Sequence, residues 1–542
     1  MNNLSSFFKK KITKRILIYF FWIIFLTLLF IQNWSINIDG FKQFKNNIIK
    51  LFNPTNLSTY TDIKQTSSLF VISISFLWIS IKYTLIGTFL GFILAILTSF
   101  MSSVFLEHKF IKTPIKILIL IIHSIPELLY IYLFSSIFSS YLALCFIMFF
   151  FSWIWIHKYL LEILNTIDLK LYNNSNLQGN SKIKSFFIKI YPIIKNRYFE
   201  RFLYSFESNL RWGSIIALTG LPGIALLIKY AQESTTTFNQ FLIPALILSA
   251  FLLMLELINI IFKKLLFENK TKIYKQNKTI YDFRILFVKI IFVLLVIFSI
   301  YTLYQLDFRL IYSQNLINKL KQMFVINFNV FNIRNKLEDN IYYSLLQSIS
   351  FSLLCATFSI CFSLFWIRFS NLHLNKKPLY LTLRFLNTLF RSLPVIIIFF
   401  ILNPLFINPI LLLIFTISFH KSLSISKQII QSIDSIDKNI INNLKMQMRS
   451  NNWIFNKYIF KKFKNEFLSV FLILIELSFR YSISYSIIAS NDLIIGTKIS
   501  NIFNEKICDI SLYTPYIWSS FFTIISLNMM SYKLNINKTK YM

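Results

Sequence analysis

Runs of about 18 or more residues with almost no charge recur along this chain, as in FLWISIKYTLIGTFLGFILAILTSFMS at 76–102. A helix of that length crosses the hydrocarbon core of a bilayer. Lipid offers the backbone no hydrogen-bond partners, so each such run must close its own bonds as a helix. The chain is therefore expected to be an all-α polytopic membrane protein. Its composition fits: 61 of 542 residues are Phe, and only 14% are charged, against about 25% in soluble domains.

The net charge of +34 would suggest a nucleic-acid partner in a soluble chain. Here Lys and Arg lie mostly in loops between apolar runs, the pattern of cytoplasmic loops in membrane proteins, so no nucleic acid is expected. The four Cys (Cys145, Cys355, Cys361, Cys508) are scattered, without metal-ligand spacing or a disulfide framework. The N-terminal run KKKITKRILIYFFWIIFLTLLF lacks a small-residue cleavage site and reads as a retained first span.

About twelve spans are predicted, near 15–34, 76–102, 114–135, 140–157, 209–230, 240–262, 285–304, 345–368, 380–402, 406–422, 468–490 and 512–531. The basic loops then place both termini in the cytoplasm of a multi-pass protein of the cell membrane. Two cytoplasmic loops are long, 158–208 and 423–467, as are two outer ones, 35–75 and 305–344.

Each long loop has a partner about 268 residues on, which points to an internal repeat. HSIPELLYIYLF at 123–134 aligns with RSLPVIIIFFIL at 391–402, setting Pro126 opposite Pro394. NLRWGSIIALTG at 209–220 aligns with SFRYSISYSIIA at 478–489, setting Arg211 opposite Arg480. Pro114 and Pro378 continue the series upstream. The expected domains are a first module at 1–262, a polar cytoplasmic linker at 263–284 and a second module at 285–542, two parallel copies of about six spans each.

Such an architecture suits a transporter. Ion-coupled carriers place ionisable groups in mid-membrane; the candidates are Glu127, Glu162, Glu256 and Glu476, and Val395 stands at the place of Glu127 in the second half. No Gly is followed directly by Lys, so the phosphate-cradling G-x-x-x-x-G-K loop is missing from the chain. Any ATP would be bound, with its Mg, by a separate polypeptide docked on the long cytoplasmic loops. The chain itself is expected to bind no cofactor and no metal and to catalyse nothing.

The segment NNSNLQGNSKIKSFFIKIYP at 173–192 resembles the cytoplasmic E-A-A-x3-G-x9-I-x-L-P loop of binding-protein-dependent ABC importer permeases. Gly179 and Pro192 hold the Gly and Pro places, whereas Asn173, Asn174, Ser175 and Lys189 depart from the pattern. Gly suits a positive φ at a helix end and Pro the first turn of the next helix. The following stretch, with Asn209, Arg211, Gly213, Ser214, Gly220 and Gly223, resembles the fifth span of phosphonate-type permeases. SIPELL and SLPVII resemble that family's R-x-x-P span, with Arg391 matching and His123 departing. Overall the chain looks like the tandem-fused, double-length permease of wall-less, AT-rich bacteria. In the second half Met448 and Lys461 take the Gly and Pro places, and Ala489 and Asp492 those of Gly220 and Gly223.

The resemblance implies a type I importer fold, two copies of a cytoplasmic ABC ATPase, an extracellular substrate-binding lipoprotein and a small anionic substrate such as a phosphonate, phosphate or phosphorylated cofactor. It implies that the loop carrying Gly179, Ser181 and Pro192, and its counterpart with Met448 and Lys461, dock on the ATPase. Pathway or gate candidates are Pro126, Glu127, Arg211, Gly213, Gly220, Gly223, Arg391, Pro394 and Arg480. Several have a purely structural alternative. Arg211 and Arg480 would snorkel toward the cytoplasmic surface, the glycines would allow close helix packing, the prolines would kink core helices, and Glu127 would pair with His123. An ion-coupled secondary transporter and a non-transporting membrane scaffold are the competing functional classes.

Overall fold

The computed structural model describes residues 36–60, 68–105, 109–267, 283–308, 313–332, 336, 339–489, 493–503 and 510–539. The expected first span at 15–34, most of the 263–284 linker and Asp492 lie outside the described residues. Apart from two isolated β-bridges, the regular structure described is helical.

Among the described residues, six helices are long and apolar enough to cross a membrane: Leu69–Ser102, Ser140–Asn165, Thr237–Phe262, Ile341–Phe369, Pro409–Asp434 and Asn451–Ser484. Three further pairs of helices pass the same test together but are bent at a break, giving up to nine spans. Residues 114–135 and 380–402, expected as single helices, are two of these pairs. Phe110–Ser124 meets Glu127–Ile137 at 86°, and Lys377–Ser392 meets Val395–Leu405 at 82°. The cause lies in Pro126 and Pro394, which lack an amide N–H and clash with the carbonyl four residues back. The third pair, Phe186–Thr219 and Ile224–Glu233, bends by 47° around TGLPG.

Several helices extend well past the apolar windows. Ser140–Asn165 and Tyr191–Ile216 run into the expected 158–208 loop, and Pro409–Asp434 and Phe460–Ser484 into 423–467. Backbone hydrogen bonding does not stop where apolarity ends, so the non-helical segments between these helices are much shorter than hydropathy suggests.

The chain forms two compact units. One gathers Asn47–Gln322 with Ser392–Ile396; the other gathers Met323–Arg391 and Ile397–Met542 with the described residues before Asn47. In the first unit the Phe283–Tyr304 helix packs on Leu69–Ser102, through Trp78 against Phe298 (6.0 Å) and Phe89 against Phe292 (5.7 Å). Lys82 Nζ donates to Gln305 Oε1 at 2.5 Å. In the second unit the Asn37 amide donates to the Leu405 carbonyl at 2.9 Å, and Ile36 bridges Phe406. The segment preceding each set of core helices thus belongs to the other set's unit.

The tightest crossing in the first unit is between Leu69–Ser102 and Ser140–Asn165. A Cβ on Gly87 would come 2.5 Å from the Cys145 carbonyl oxygen and 2.7 Å from Met148 Cβ. One on Gly91 would come 2.5 Å from the Phe149 oxygen and 2.7 Å from Ser152 Cβ. This is a G-x-x-x-G stripe, which lets two helix backbones approach. In the second unit Cys355 and Ser418 serve the equivalent approach of Ile341–Phe369 to Pro409–Asp434. Ser418 Oγ donates to the Cys355 carbonyl at 3.1 Å.

The expected packing glycines behave differently. Gly213 is roomy, with only Met148 Cε within reach of an added Cβ, at 3.4 Å. Gly220 has φ +92° and open space beside it, so it is a turn residue. Gly223 faces the Ser80 hydroxyl at 2.9 Å. Gly91→Leu is therefore expected to destabilise the protein by at least about 1–3 kcal/mol through overpacking. Gly213→Ala should be neutral or stabilising. Thermal unfolding of the detergent-solubilised protein checks both.

Candidate coupling loops and buried ion pairs

The segment around Gly179 folds as the short helix Lys170–Leu177, a turn, the short helix Lys182–Ser185, the π-helical stretch Phe186–Ile190, and then the long helix Tyr191–Ile216. Gly179 has φ +82°. The turn is closed by three backbone bonds: Gln178 to Asn174, Gly179 to Asn176 and Asn180 to Ser175, donor first. The last reaches back five residues, the six-to-one bond of a helix end with a left-handed residue.

The second segment repeats this order. Lys438–Met446 is followed by a turn, Asn451–Trp453, the π-helical stretch Ile454–Ile459 and Phe460–Ser484. Gln447 donates to Asn443, Met448 to Lys445 and Arg449 to Leu444, each bond 269 positions after its counterpart. Met448 has φ +56° and is the one non-glycine residue with positive φ among the described residues. The second segment thus forms the same turn without Gly, with a side chain in a region that costs most L-residues about 1–2 kcal/mol.

Ser181 and Ser450 occupy matching places after the two turns. The Ser185 amide donates to the Ser181 carbonyl at 2.8 Å and the Ile454 amide to the Ser450 carbonyl at 3.0 Å. Both π-helical stretches close in the same way, the Tyr191 N–H reaching Phe186 and the Phe460 N–H reaching Phe455. Pro192 lies where the π-helical stretch passes into the long helix. Lys461 stands at the matching place in the second segment, whose π-helical stretch forms without Pro. Leu177 and Met446 are left 86% and 81% exposed beside the turns.

Deeper in the long helices lie two charged pairs. Arg480 pairs with Glu476 one turn earlier, Nη2 to Oε1 at 3.0 Å, with both side chains almost fully buried. Arg211 pairs with Glu207 in the same register, and its Nη2 lies 4.0 Å from Glu256 Oε2. Asn259 Nδ2 donates to the other Glu207 oxygen at 2.6 Å. Both arginine side chains are largely buried, each against a carboxylate on its own helix. Glu256 and Glu476 do not reach a surface, as both are buried. An unpaired charge in an apolar interior is expensive, and pairing removes most of that cost. Asn209 anchors the same helix by donating to Thr88 Oγ1 at 2.8 Å and Ser152 Oγ at 2.6 Å.

At the first break, Pro126 caps Glu127–Ile137 and Glu127 is buried in its first turn. The His123 ring stands edge-on to Trp155 with centroids 4.8 Å apart. At the second break Arg391 is buried one turn before Pro394, and His420 Nε2 lies 3.3 Å from its carbonyl oxygen. Past the third break, the Ile224 amide donates to Ser80 Oγ at 3.0 Å. In the other unit the Ile494 amide donates to Gln347 Oε1 at 3.5 Å. Among the described residues no His, Cys, Asp and Glu cluster could hold a metal ion.

Sequence reasoning placed Arg211 and Arg480 opposite each other but missed Glu207, the partner of Arg211, with the Asn259 amide that bonds it, and gave Glu476 another role. The available signal was E-x-x-x-R at 207–211 and again at 476–480, an i, i+4 ion-pair spacing.

Six apolar helices of spanning length and three bent pairs point to a multi-pass helical membrane protein. Curated relatives agree. The chain is similar to the ABC transport system permease protein p69 of Mycoplasma genitalium (strain ATCC 33530 / DSM 19775 / NCTC 10195 / G37). They are 27% identical over 495 residues, 88% of this chain and 87% of the relative. It is also similar to the protein of that name from Mycoplasma pneumoniae (strain ATCC 29342 / M129 / Subtype 1), 26% identical over 486 residues, 88% of this chain and 86% of that one. These likenesses support a non-enzymatic ABC permease subunit. No family model matches the chain, and no solved structure matches it significantly.

Two predictions follow from the pairs and turns. Glu476→Ala strands a buried guanidinium and should cost about 3–5 kcal/mol; replacing Glu476 and Arg480 together by Leu should recover most of that loss. Met448→Gly should stabilise the second turn, while Gly179→Ala weakens the first, by about 1 kcal/mol in each direction. Unfolding midpoints of the four variants check the signs.

Proposed function

We propose that this chain is the permease subunit of a binding-protein-dependent ABC importer, built as two fused modules at 1–262 and 285–542 joined by 263–284. The observation that carries the reading is the shared architecture of the 170–192 and 438–461 segments. They have the same helix order, the same three turn bonds and a left-handed residue at Gly179 and Met448. A left-handed turn retained at Met448 argues for a constrained shape on both segments, as a docking surface for a common type of partner requires. That partner is a cytoplasmic ABC ATPase in two copies, holding ATP and Mg. An extracellular lipoprotein delivers a small anionic substrate of the phosphonate or phosphate class.

In this mechanism nucleotide-driven closure of the ATPases moves the two segments, and the long helices Tyr191–Ile216 and Phe460–Ser484 carry the motion inward. The inward-facing pairs Glu207–Arg211 and Glu476–Arg480 keep those helices from shearing across apolar surroundings. The breaks at Pro126, Pro394 and Gly220 supply the places where spans bend, which is where a gate along the pathway belongs. Both termini are cytoplasmic.

Proteoliposomes holding the chain and its ATPase, with the lipoprotein supplied outside, test this reading. Uptake of a labelled phosphonate or phosphate is expected to require ATP and to persist when ionophores abolish ion gradients. Uptake that ignores ATP and collapses with the gradient would establish the secondary-transporter reading instead.

A further inference from the structure

The two loops are fastened to their membrane helices by different chemistry. In the first half the attachment is aromatic. Phe186 packs tilted against Phe100 at 4.7 Å and approaches Phe105 at 5.5 Å, and Tyr172 lies 5.1 Å from Phe105. The Tyr172 hydroxyl donates to the Phe105 carbonyl at 3.2 Å.

In the second half, 268 positions after Phe100, stands Arg368 at the end of Ile341–Phe369. Its Nε and Nη2 donate to Asn452 Oδ1 at 3.2 and 2.7 Å, and its Nη1 lies 3.4 Å from Asn375 Oδ1. The guanidinium also lies over the Phe455 ring at 5.8 Å. Two more bonds join the same parts. Asn451 Nδ2 donates to the Leu374 carbonyl at 2.9 Å, and Lys445 Nζ to the His373 carbonyl at 2.6 Å. Asn375 in turn caps the helix end, donating to the Arg368 and Phe369 carbonyls at 2.8 and 2.9 Å. One side chain thus ties a membrane helix, the turn after it and the start of the π-helical stretch.

We infer that Arg368 is a positioning residue that clamps the second coupling loop through Asn452 and carries motion between that loop and Ile341–Phe369. The inference rests on the coupling reading above. The clamp is charged and multiply hydrogen-bonded, whereas the first loop is held by ring contacts and the single Tyr172 bond. A planar fork suits this task better than Lys would. It also offers a physical reason why the second loop holds its shape with Met448 and Lys461 where the first has Gly179 and Pro192.

The test uses the full chain with its ATPase in nanodiscs. Amide exchange over 438–459 is measured alongside the change in ATP hydrolysis that the chain imposes on the ATPase. Arg368→Ala and Asn452→Ala should each speed exchange across 438–459 by about tenfold, leave 170–190 unchanged, and not add in the double variant. Both should cut the imposed change in hydrolysis several-fold. Asn452→Asp, which keeps the acceptor oxygen, should retain protection and coupling. Unaltered exchange in Arg368→Ala, additive losses, or faster exchange with hydrolysis control intact would overturn the clamp. If the unsubstituted chain leaves the ATPase rate untouched, the coupling reading itself falls and the clamp's role falls with it.

Discussion

Backbone hydrogen bonding in a medium without water is the constraint on which everything else in this protein depends. It forces the apolar runs into helices and makes every break in a helix costly. The breaks found at Pro126, Pro394 and TGLPG are therefore informative. Two of them fall 268 positions apart and bend their spans by nearly the same angle, 86° and 82°. The freed amide ends are partly met by side chains, as at Ile224 on Ser80 and Ile494 on Gln347. Polar side chains at such depths answer polar backbone.

The same economy governs charge. Arg211 and Arg480 are each turned inward with a carboxylate one turn away on the same helix. The pairs form within a helix before any tertiary packing is needed, so each long helix enters the bundle nearly neutral at that level. The first half carries a further carboxylate, Glu256, near its arginine, so its local charge balance differs from that of the second. The two loops differ as well, in turn residue and in attachment.

Much of this was legible in the sequence. The apolar runs predicted helices, although the described residues carry six to nine candidate spans rather than twelve, and the 268–269 offset aligned residues that share geometry, including Gly179 with Met448. What escaped has identifiable physical causes. Hydropathy marks where a helix is apolar, not where it ends, so the 158–208 and 423–467 loops read too long. Periodicity cannot register a proline break inside an apolar run, so 114–135 read as one span. Arg211 and Arg480 were weighed without the acid one turn back, though E-x-x-x-R was present twice. Gly87 and Gly91 form the close crossing, while attention went to Gly213, which has room to spare. Met448 stands at the Gly place of the sequence pattern, and only backbone geometry reveals a left-handed turn there.

The central claim is that both loops meet an ATPase. Single cysteines at Ser181 and Ser450, placed in a chain lacking its native Cys and purified with the ATPase, test it most directly by crosslinking. The account predicts that both positions join the ATPase and that the yield changes between nucleotide-free and ATP-bound complexes. An active complex in which neither position ever crosslinks would contradict it.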